Sequence, residues 1–114
     1  MAARPEGRGA HRRFSANLGF LWRDRPLAER IARAAAAGFD AIELHDDWED
    51  EDSASLTAAV RAANLPVIAI NTRMGSTFGV AANPAKVDEA RADIDRAAAM
   101  AERLGARAIH VLAG

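Results

Sequence analysis

Four polar residues each follow an apolar residue within short hydrophobic segments of the chain: Asn17, Glu43, Asn71 and His110. Successive side chains of a strand point to opposite faces, so these four would share the face opposite the apolar one. Amide, carboxylate and imidazole groups can hydrogen-bond the oxygens of a polyol or a carbonyl compound, and the last two can also move protons. The pattern therefore predicts that these four residues form a substrate-binding set.

Glu43 is the most informative of the four, because its carboxylate stands between Ile42 and Leu44 in a strand-like run. An ionised carboxylate inside a protein is costly unless it is paired. A functional interpretation gives it a metal or a sugar hydroxyl as its partner. A structural interpretation pairs it with a neighbouring inward residue such as His45 or Arg73, and the sequence leaves both interpretations open.

The histidines of these segments, His45 and His110, raise the question of a metal site, because neutral imidazole is a common ligand of divalent ions. Two histidines on separate strands with one carboxylate are too few to specify such a site, so the sequence predicts no metal ligands. His110 is better explained as a group that orients a substrate, and His45 as a hydrogen-bonded interior histidine. Asn17 and Asn71 could bind a polyol or satisfy backbone groups at strand ends, and both alternatives remain open.

Two further segments have the composition of loops. Residues 46–52 are strongly acidic but lack the glycine and the alternating oxygen ligands of a calcium loop, so we expect a solvated loop before a helix. Trp48 within them could cover either a substrate or the edge of the core. Residues 74–79 contain two glycines without a phosphate-binding pattern, which leaves a mobile rim and a plain connector as alternatives.

The elements that must position these residues alternate along the chain. Strand-like segments cover residues 14–21, 41–45, 67–73 and 108–113. Helix-like segments lie between them, the first from Pro26 to Gly38, the second over residues 53–64 and the third from Asn83-Pro84 to Gly105. Only a long crossover returns the chain to the same end of a sheet, so the strands must pair in parallel. The predicted class is α/β in the order β1-α1-β2-α2-β3-α3-β4, with all three helices on one face.

The apolar residues of these strands define the face that the helices should cover. We expect it to comprise Ala16, Leu18, Phe20, Ile42, Leu44, Ile68, Ile70, Ile109 and Val111. The third helix should bury an apolar stripe that begins at Val87.

Composition excludes several kinds of site. The 114 residues carry a net charge of −1 and no cysteine, which rules out disulfides and thiolate metal sites. Residues 1–13 hold four arginines against one glutamate, and we expect a disordered basic tail rather than an arm that binds nucleic acid. No segment approaches the roughly 20 apolar residues of a membrane span or has the apolar core of a secretory signal. A cytoplasmic protein with no membrane partner is therefore the default expectation.

Several segments can be compared with known families: residues 14–18, Gly38-Phe39-Asp40-Ala41-Ile42-Glu43-Leu44, Asn71, residues 79–84 and His110-Val111-Leu112-Ala113-Gly114. Together they resemble hydroxypyruvate isomerase and, more broadly, the xylose isomerase-like group of TIM barrels. The resemblance runs from about residue 14 to the end of the sequence. It implies a partial (β/α)8 barrel in which residues 14–114 are the N-terminal half.

The resemblance also implies a chemistry. Enzymes of this group move a proton between adjacent carbons of a small carbonyl or sugar substrate, usually with two glutamates and a divalent metal such as Mg²⁺ or Mn²⁺. In the family these groups lie on later strands and none maps onto this sequence, so we assign no catalytic residue and expect the isolated chain to be inactive. The alternatives are a half barrel that self-associates through its open sheet edges and a non-catalytic binding fragment.

Overall fold

A four-stranded parallel sheet in the order β1-β2-β3-β4 is the centre of the computed structural model, which describes residues 12–114. The strands are β1 (Ser15–Asn17), β2 (Ala41–Leu44), β3 (Val67–Asn71) and β4 (Ala108–His110), and the helices are α1 (Leu27–Ala36), α2 (Ser53–Ala63) and α3 (Val87–Leu104). Short 3₁₀ turns at Asp47–Asp50 and Pro84–Lys86 precede α2 and α3. The predicted α/β class, the sequential strand order and the parallel pairing are confirmed. The predicted basic tail falls mostly on residues 1–11, which lie outside the described residues.

Local sequence signals set the helix ends. The carboxylate of Asp52 accepts a hydrogen bond from the backbone N–H of Ser55, which satisfies a donor that the first turn of α2 would otherwise leave unpaired. Asn64 ends the same helix with its backbone in the left-handed region, and Gly105 does so for α3. These ends return the chain to the sheet within a few residues.

One hydrophobic core lies between the sheet and the helices. It combines the buried strand residues Ala16, Leu18, Ile42, Leu44, Val67 and Ile70 with helix residues that include Leu27, Ile31, Leu56, Val60, Ala97, Ala101 and Leu104. Fully burying one of the larger aliphatic side chains contributes about 1.5–3 kcal/mol. The opposite face of the sheet, which carries the polar residues, is not covered by these helices.

Strand β3 has one residue more than β2 in the stretch where the two strands pair. Ile42 pairs with Val67, but the next residue of β2 pairs with Ala69, so Ile68 forms a bulge. A bulge of this kind changes which face the following side chains occupy. Val67 and Ile70 are therefore both buried beneath the helices, and Val67 takes the place that the sequence analysis gave to Ile68.

Three apolar residues that the sequence placed on covered faces are exposed, and two of them, Phe20 and Val111, lie beyond the ends of strands that are shorter than predicted. Strand β1 ends at Asn17, whose carbonyl accepts hydrogen bonds from the N–H groups of Phe20 and Leu21 at 3.1 Å and so closes a turn. Phe20 is consequently 70% exposed rather than buried. Val111, which follows β4, and Val87, at the start of α3, are 42% and 46% exposed, so the predictions that they are covered are also wrong. Within residues 12–114, no helix has the length and apolar content that crossing a bilayer requires.

Candidate functional site

The predicted polar residues lie in two transverse rows on the uncovered face of the sheet. Asn17 lies opposite Glu43 on the neighbouring strand, and we call these two residues the first row. Asn71 lies opposite His110 in the same way. The N–H of Asn71 also donates to the carbonyl of His45 at 3.4 Å, so His45 belongs with Asn71 and His110 to the second row. Neighbouring strands are about 4.8 Å apart, and ligands of parallel sheets bind at the carboxyl ends of the strands. The second row is nearest to those ends.

Glu43 is half-buried, and its Oε2 atom accepts a hydrogen bond from the Ser15 hydroxyl at 2.6 Å. Among residues 12–114 it makes no ion pair, so neither His45 nor Arg73 is the structural partner that the sequence suggested. A hydroxyl orients a carboxylate without neutralising its charge. The second oxygen of Glu43 can therefore accept a hydrogen bond from a ligand hydroxyl.

The two asparagines differ in how their side chains are used. The Oδ1 atom of Asn17 accepts from the N–H of Gly19 at 3.0 Å, which is the role in satisfying the backbone that the sequence allowed. The side-chain amide of Asn71 has no hydrogen-bond partner within residues 12–114, while its main-chain oxygen accepts from the indole N–H of Trp48 at 3.0 Å. The amide of Asn71 is thus available for a ligand, whereas the oxygen of Asn17 is already used.

His45 is held by packing. A Cβ built on Gly19 would lie 2.0 Å from Nδ1 of His45, so the imidazole occupies the space where any other residue would place its side chain. The ring of Phe20 meets the imidazole edge-to-face, with centroids 4.8 Å apart and planes at 83°. Neither ring nitrogen of His45 has a hydrogen-bond partner in the described part of the chain, so the prediction of a hydrogen-bonded interior histidine is wrong.

His110 lies at the end of the second row on the edge strand β4. It is exposed, because no strand within residues 12–114 pairs with the other side of β4. An exposed imidazole on an open edge contacts a ligand only if that ligand extends along the row from Asn71.

A buried arginine that the sequence analysis missed fixes the loops around these rows. Nη1 of Arg30 donates to the carbonyl of Leu18 at 2.9 Å and to the carboxylate of Asp47 at 2.8 Å, and Nε donates to the carbonyl of Arg25 at 2.7 Å. Leu18 follows β1 and Asp47 follows β2, so Arg30 joins the two loops. Arg30 lies three residues after Leu27, on the same face of α1 as the apolar residues. A charged residue on the apolar face of a helix is a signal that could have identified it as buried and paired.

The acidic segment, residues 46–52, is held by specific contacts, although its acidic side chains remain partly or fully exposed to solvent as predicted. The carboxylate of Asp46 accepts from the N–H of Met74 at 2.9 Å, which ties the loop after β2 to the loop after β3. Glu49 forms an ion pair with Arg96 of α3 at 3.3 Å. These contacts reduce the freedom of the two loops nearest the second row.

Two other residues of this segment support the fold. Trp48 is buried in the core, which decides between its two alternatives in favour of the core edge. Hydrogen bonds from the backbone N–H and from the hydroxyl of Ser55 hold the pKa of the Asp52 carboxyl below its ordinary value.

Charged side chains line an open cleft of about 470 Å³ formed by the loops that follow β1, β2 and β3. Its charged lining residues are Arg23, Arg30, Asp46, Asp47, Glu49, Asp50, Glu51 and Arg73. Nowhere within residues 12–114 do three histidine, aspartate or glutamate side chains converge as metal ligands would. This part of the chain alone therefore does not fit the divalent ion that the resemblance implies.

Known proteins are similar to this chain over most of its length. The model of the family described as the xylose isomerase-like TIM barrel matches residues 31–114. A Streptomyces coelicolor protein with the provisional name hydroxypyruvate isomerase is 36% identical, over 92% of this chain and 42% of its own length. The 2-oxo-tetronate isomerase of Cupriavidus necator is 35% identical, over 90% of this chain and 40% of its own length.

A solved structure, that of AP endonuclease, family 2 from Brucella melitensis, superimposes with a TM-score of 0.81 at 30% identity. The superposition covers 90% of this chain and 41% of that protein. The chain therefore spans about two fifths of the length of the proteins it matches.

Proposed function

The chain belongs to the xylose isomerase-like TIM-barrel family, and from this we propose that residues 14–114 are the N-terminal β/α units of an isomerase of small hydroxy-oxo acids. Two of its relatives are named for hydroxypyruvate and for 2-oxo-tetronate. Each of these compounds has a carbonyl carbon beside a carbon that bears a hydroxyl group and a hydrogen. Isomerisation moves that hydrogen, as a proton, to the former carbonyl carbon, and the carbonyl and hydroxyl groups exchange places.

The observation that carries the proposal is the pair of register-matched rows on the uncovered face of the sheet. Glu43 would accept a hydrogen bond from a substrate hydroxyl, because one of its oxygens already has the Ser15 hydroxyl as donor and the other does not. The unpartnered amide of Asn71 would donate to the carbonyl or carboxylate oxygen. His110 would orient the far end of the substrate, and Asn17 would contribute its amide N–H groups, since its oxygen is used by Gly19.

These residues bind and orient a substrate in this proposal and do not move its proton. When bound, a divalent ion such as Mg²⁺ or Mn²⁺ would polarise the two substrate oxygens. Residues 12–114 supply neither its ligand set nor a matched acid and base, so both functions are assigned to later strands of a complete barrel.

A graft tests the proposal directly. Residues 14–114 would replace the segment that they match in the Cupriavidus necator 2-oxo-tetronate isomerase, and isomerisation of hydroxypyruvate and of 2-oxo-tetronate would be measured. We expect turnover of at least one compound by the graft and none by the 114-residue chain alone. A folded graft that converts neither compound would contradict the proposal.

Within that graft, Glu43→Gln tests the first row. The change removes a charged acceptor whose hydrogen bond is worth about 1.5–3 kcal/mol, so we expect kcat/KM to fall roughly tenfold to a hundredfold. Glu102→Gln, at an exposed position of α3, is the matched control and should leave kcat/KM unchanged. Equal values for both variants would show that Glu43 does not contact the substrate.

A second candidate function is a half barrel whose copies pair through their open sheet edges. It is favoured by the exposed edge strand β4 and by the exposed Val111 beside it. In this case the uncovered face would be enclosed by a second copy rather than by later strands of the same chain.

A further inference from the structure

Arg73 is a cation on the ligand-facing side of the sheet that has no partner among residues 12–114. It follows the last residue of β3, Asn71, by two positions, and Thr72 between them is buried. Side chains two positions apart in an extended segment lie on the same face, so Arg73 continues the face that carries Asn71. Its side chain is exposed and forms neither a hydrogen bond nor an ion pair with the described residues.

The backbone of Arg73 is held on both sides, although its guanidinium is not. The N–H of Thr72 donates to the carbonyl of His110 at 3.0 Å, so contact with β4 extends past the end of β3. The N–H of Met74 donates to the carboxylate of Asp46 at 2.9 Å. The side chain of Arg73 therefore starts from a fixed point roughly 7 Å beyond the last residue of β3.

The other charged groups near Arg73 are engaged elsewhere or lie outside the sheet. Arg30 is buried and paired with Asp47, and Asp46 accepts from a backbone N–H rather than from the guanidinium of Arg73. Arg23, the third arginine of the cleft, belongs to the loop after β1 and not to a strand. Among the described residues, Arg73 is thus the cation that continues the ligand-facing side of a strand without being neutralised.

An anionic ligand on this face needs such a cation. Hydroxypyruvate and 2-oxo-tetronate, the compounds for which the relatives are named, both carry a carboxylate. A ligand carboxylate placed beside the carboxylate of Glu43 would be repelled, so it is more stable at the opposite end of the site, where Arg73 lies. A guanidinium binds a carboxylate through two parallel N–H···O hydrogen bonds, which fix its orientation as well as its position.

We propose that Arg73 is a specificity-determining residue, whose guanidinium binds the carboxylate of a hydroxy-oxo acid so that the reacting carbonyl and hydroxyl groups lie toward Asn71 and Glu43. This inference rests on the proposed function and names the part of the substrate that the site selects. The contact distinguishes an acid from a neutral compound of the same shape, because only the acid supplies two charged acceptor oxygens.

A matched pair of probes tests the inference on the 114-residue chain. Hydroxypyruvate and dihydroxyacetone differ only in that the carboxylate of the first is a hydroxymethyl group in the second. Nuclear magnetic resonance follows the side-chain Nε–H of Arg73 and the backbone amide of Asn71 during titration. We expect hydroxypyruvate to bind roughly tenfold more tightly than dihydroxyacetone, and Arg73→Gln to abolish this preference by weakening the binding of hydroxypyruvate alone.

Two further variants separate recognition of the carboxylate from a general effect of charge. Arg23→Gln removes the same charge from another loop of the same cleft and should leave the preference within about twofold of its original value. Arg73→Lys keeps the charge without the planar fork and should retain part of the preference. Equal losses in Arg23→Gln and Arg73→Gln would show a general electrostatic effect and refute the role of Arg73.

The outcomes distinguish this inference from the function on which it rests. In the graft, Arg73→Gln should lower kcat/KM for hydroxypyruvate roughly tenfold. If the graft is active and this value is unchanged, or if Arg73→Gln weakens the binding of both probes equally, the role of Arg73 is refuted and the proposed function stands. If neither probe shifts a resonance at millimolar concentration and the graft is also inactive, both are overturned.

Discussion

Single side chains of the candidate site are oriented without being neutralised. Glu43 is held by the hydroxyl of Ser15 rather than by an arginine, and His45 by the packing of Gly19 and Phe20 rather than by a hydrogen bond. A cation beside Glu43 would have stabilised its charge and also competed with a ligand for it. The observed contacts fix direction and leave hydrogen-bonding capacity for another molecule.

Gly19→Ala tests the packing of His45. A methyl group at this position would overlap the imidazole, so the ring must leave its place, and crowding of this kind costs about 1–3 kcal/mol in the free energy of unfolding. Chemical denaturation measures the cost, and the ring resonances of His45 report the displacement.

Gly38→Ala is the control for Gly19→Ala. A Cβ on Gly38 meets no atom within 4 Å, but the backbone has φ of +86°, so its cost of about 1–2 kcal/mol is conformational. The His45 resonances should therefore stay in place in Gly38→Ala. An unchanged His45 spectrum in Gly19→Ala would contradict the packing described.

At the scale of elements, the loops that follow three strands are connected to one another around the candidate site. Arg30 of α1 joins the segments after β1 and β2, and Asp46 joins the segments after β2 and β3. Loops usually move more than the elements they connect, so these bonds help to keep the carboxyl ends of the strands in a fixed arrangement.

Arg30→Ala should be strongly destabilising for this reason. It leaves the carbonyl of Leu18 without that donor and Asp47 without its ion-pair partner, and we expect a loss of about 3 kcal/mol in the free energy of unfolding. Arg33→Ala on the same helix removes only an exposed contact with Glu29 and should cost less than about 1 kcal/mol. Equal midpoints in urea for the two variants would show that Arg30 does not hold the loops together.

The cap of α2 predicts a dependence of stability on pH. The pKa of Asp52 is lowered in the folded chain, so the folded state binds this proton less tightly than the unfolded state does. The contribution to stability is complete above the ordinary value of 3.8 and is lost as the pH falls through the lower folded value. Unfolding measured between pH 2.5 and 5 should show this loss in the unmodified chain and a smaller one in Asp52→Asn, which keeps a capping oxygen without the charge. Parallel pH profiles would exclude the contribution.

The sequence predicts those parts of the fold that are set by residues close to one another in the chain. The order of elements and helix ends such as Asn64 and Gly105 follow from local conformational preference, and they are confirmed. The bulge at Ile68 and the contact between Gly19 and His45 depend on the register of strands that are distant in the chain. The alternation of residues along each strand predicts that Asn17, Glu43, Asn71 and His110 share one face. Whether each side chain has a hydrogen-bond partner depends on such long-range contacts, which the alternation does not reveal.

At the scale of the whole molecule, the main feature is a parallel sheet with helices on one face, in which β1 and β4 each pair with only one strand within residues 12–114. Parallel sheets are normally covered on both faces, and unpaired edges favour association. Val111 adds exposed apolar surface beside the β4 edge. We therefore expect the 114-residue chain to form dimers or larger species.

Light scattering after size-exclusion chromatography over a range of concentrations measures this association. Val111→Lys should shift the distribution toward the monomer, since lysine disfavours edge pairing. Val87→Lys, at an equally exposed position on α3, should leave the distribution unchanged. A chain that is monomeric at all concentrations would contradict association through the edge.

The bulge in β3 makes this strand tolerant of a change in length at one position. Val67 pairs with Ile42 and Ala69 pairs with Glu43, so Ile68 is a supernumerary residue between two segments that are already in register. Deleting that single codon would close the bulge and leave Ile70 beside Leu44 and Asn71 beside His45, so the same side chains would face a ligand. Strand β2 has no such spare residue, and deleting Leu44 would move His45 out of the row that it shares with Asn71. Loss of one residue should therefore be tolerated in β3 at Ile68 and not in β2.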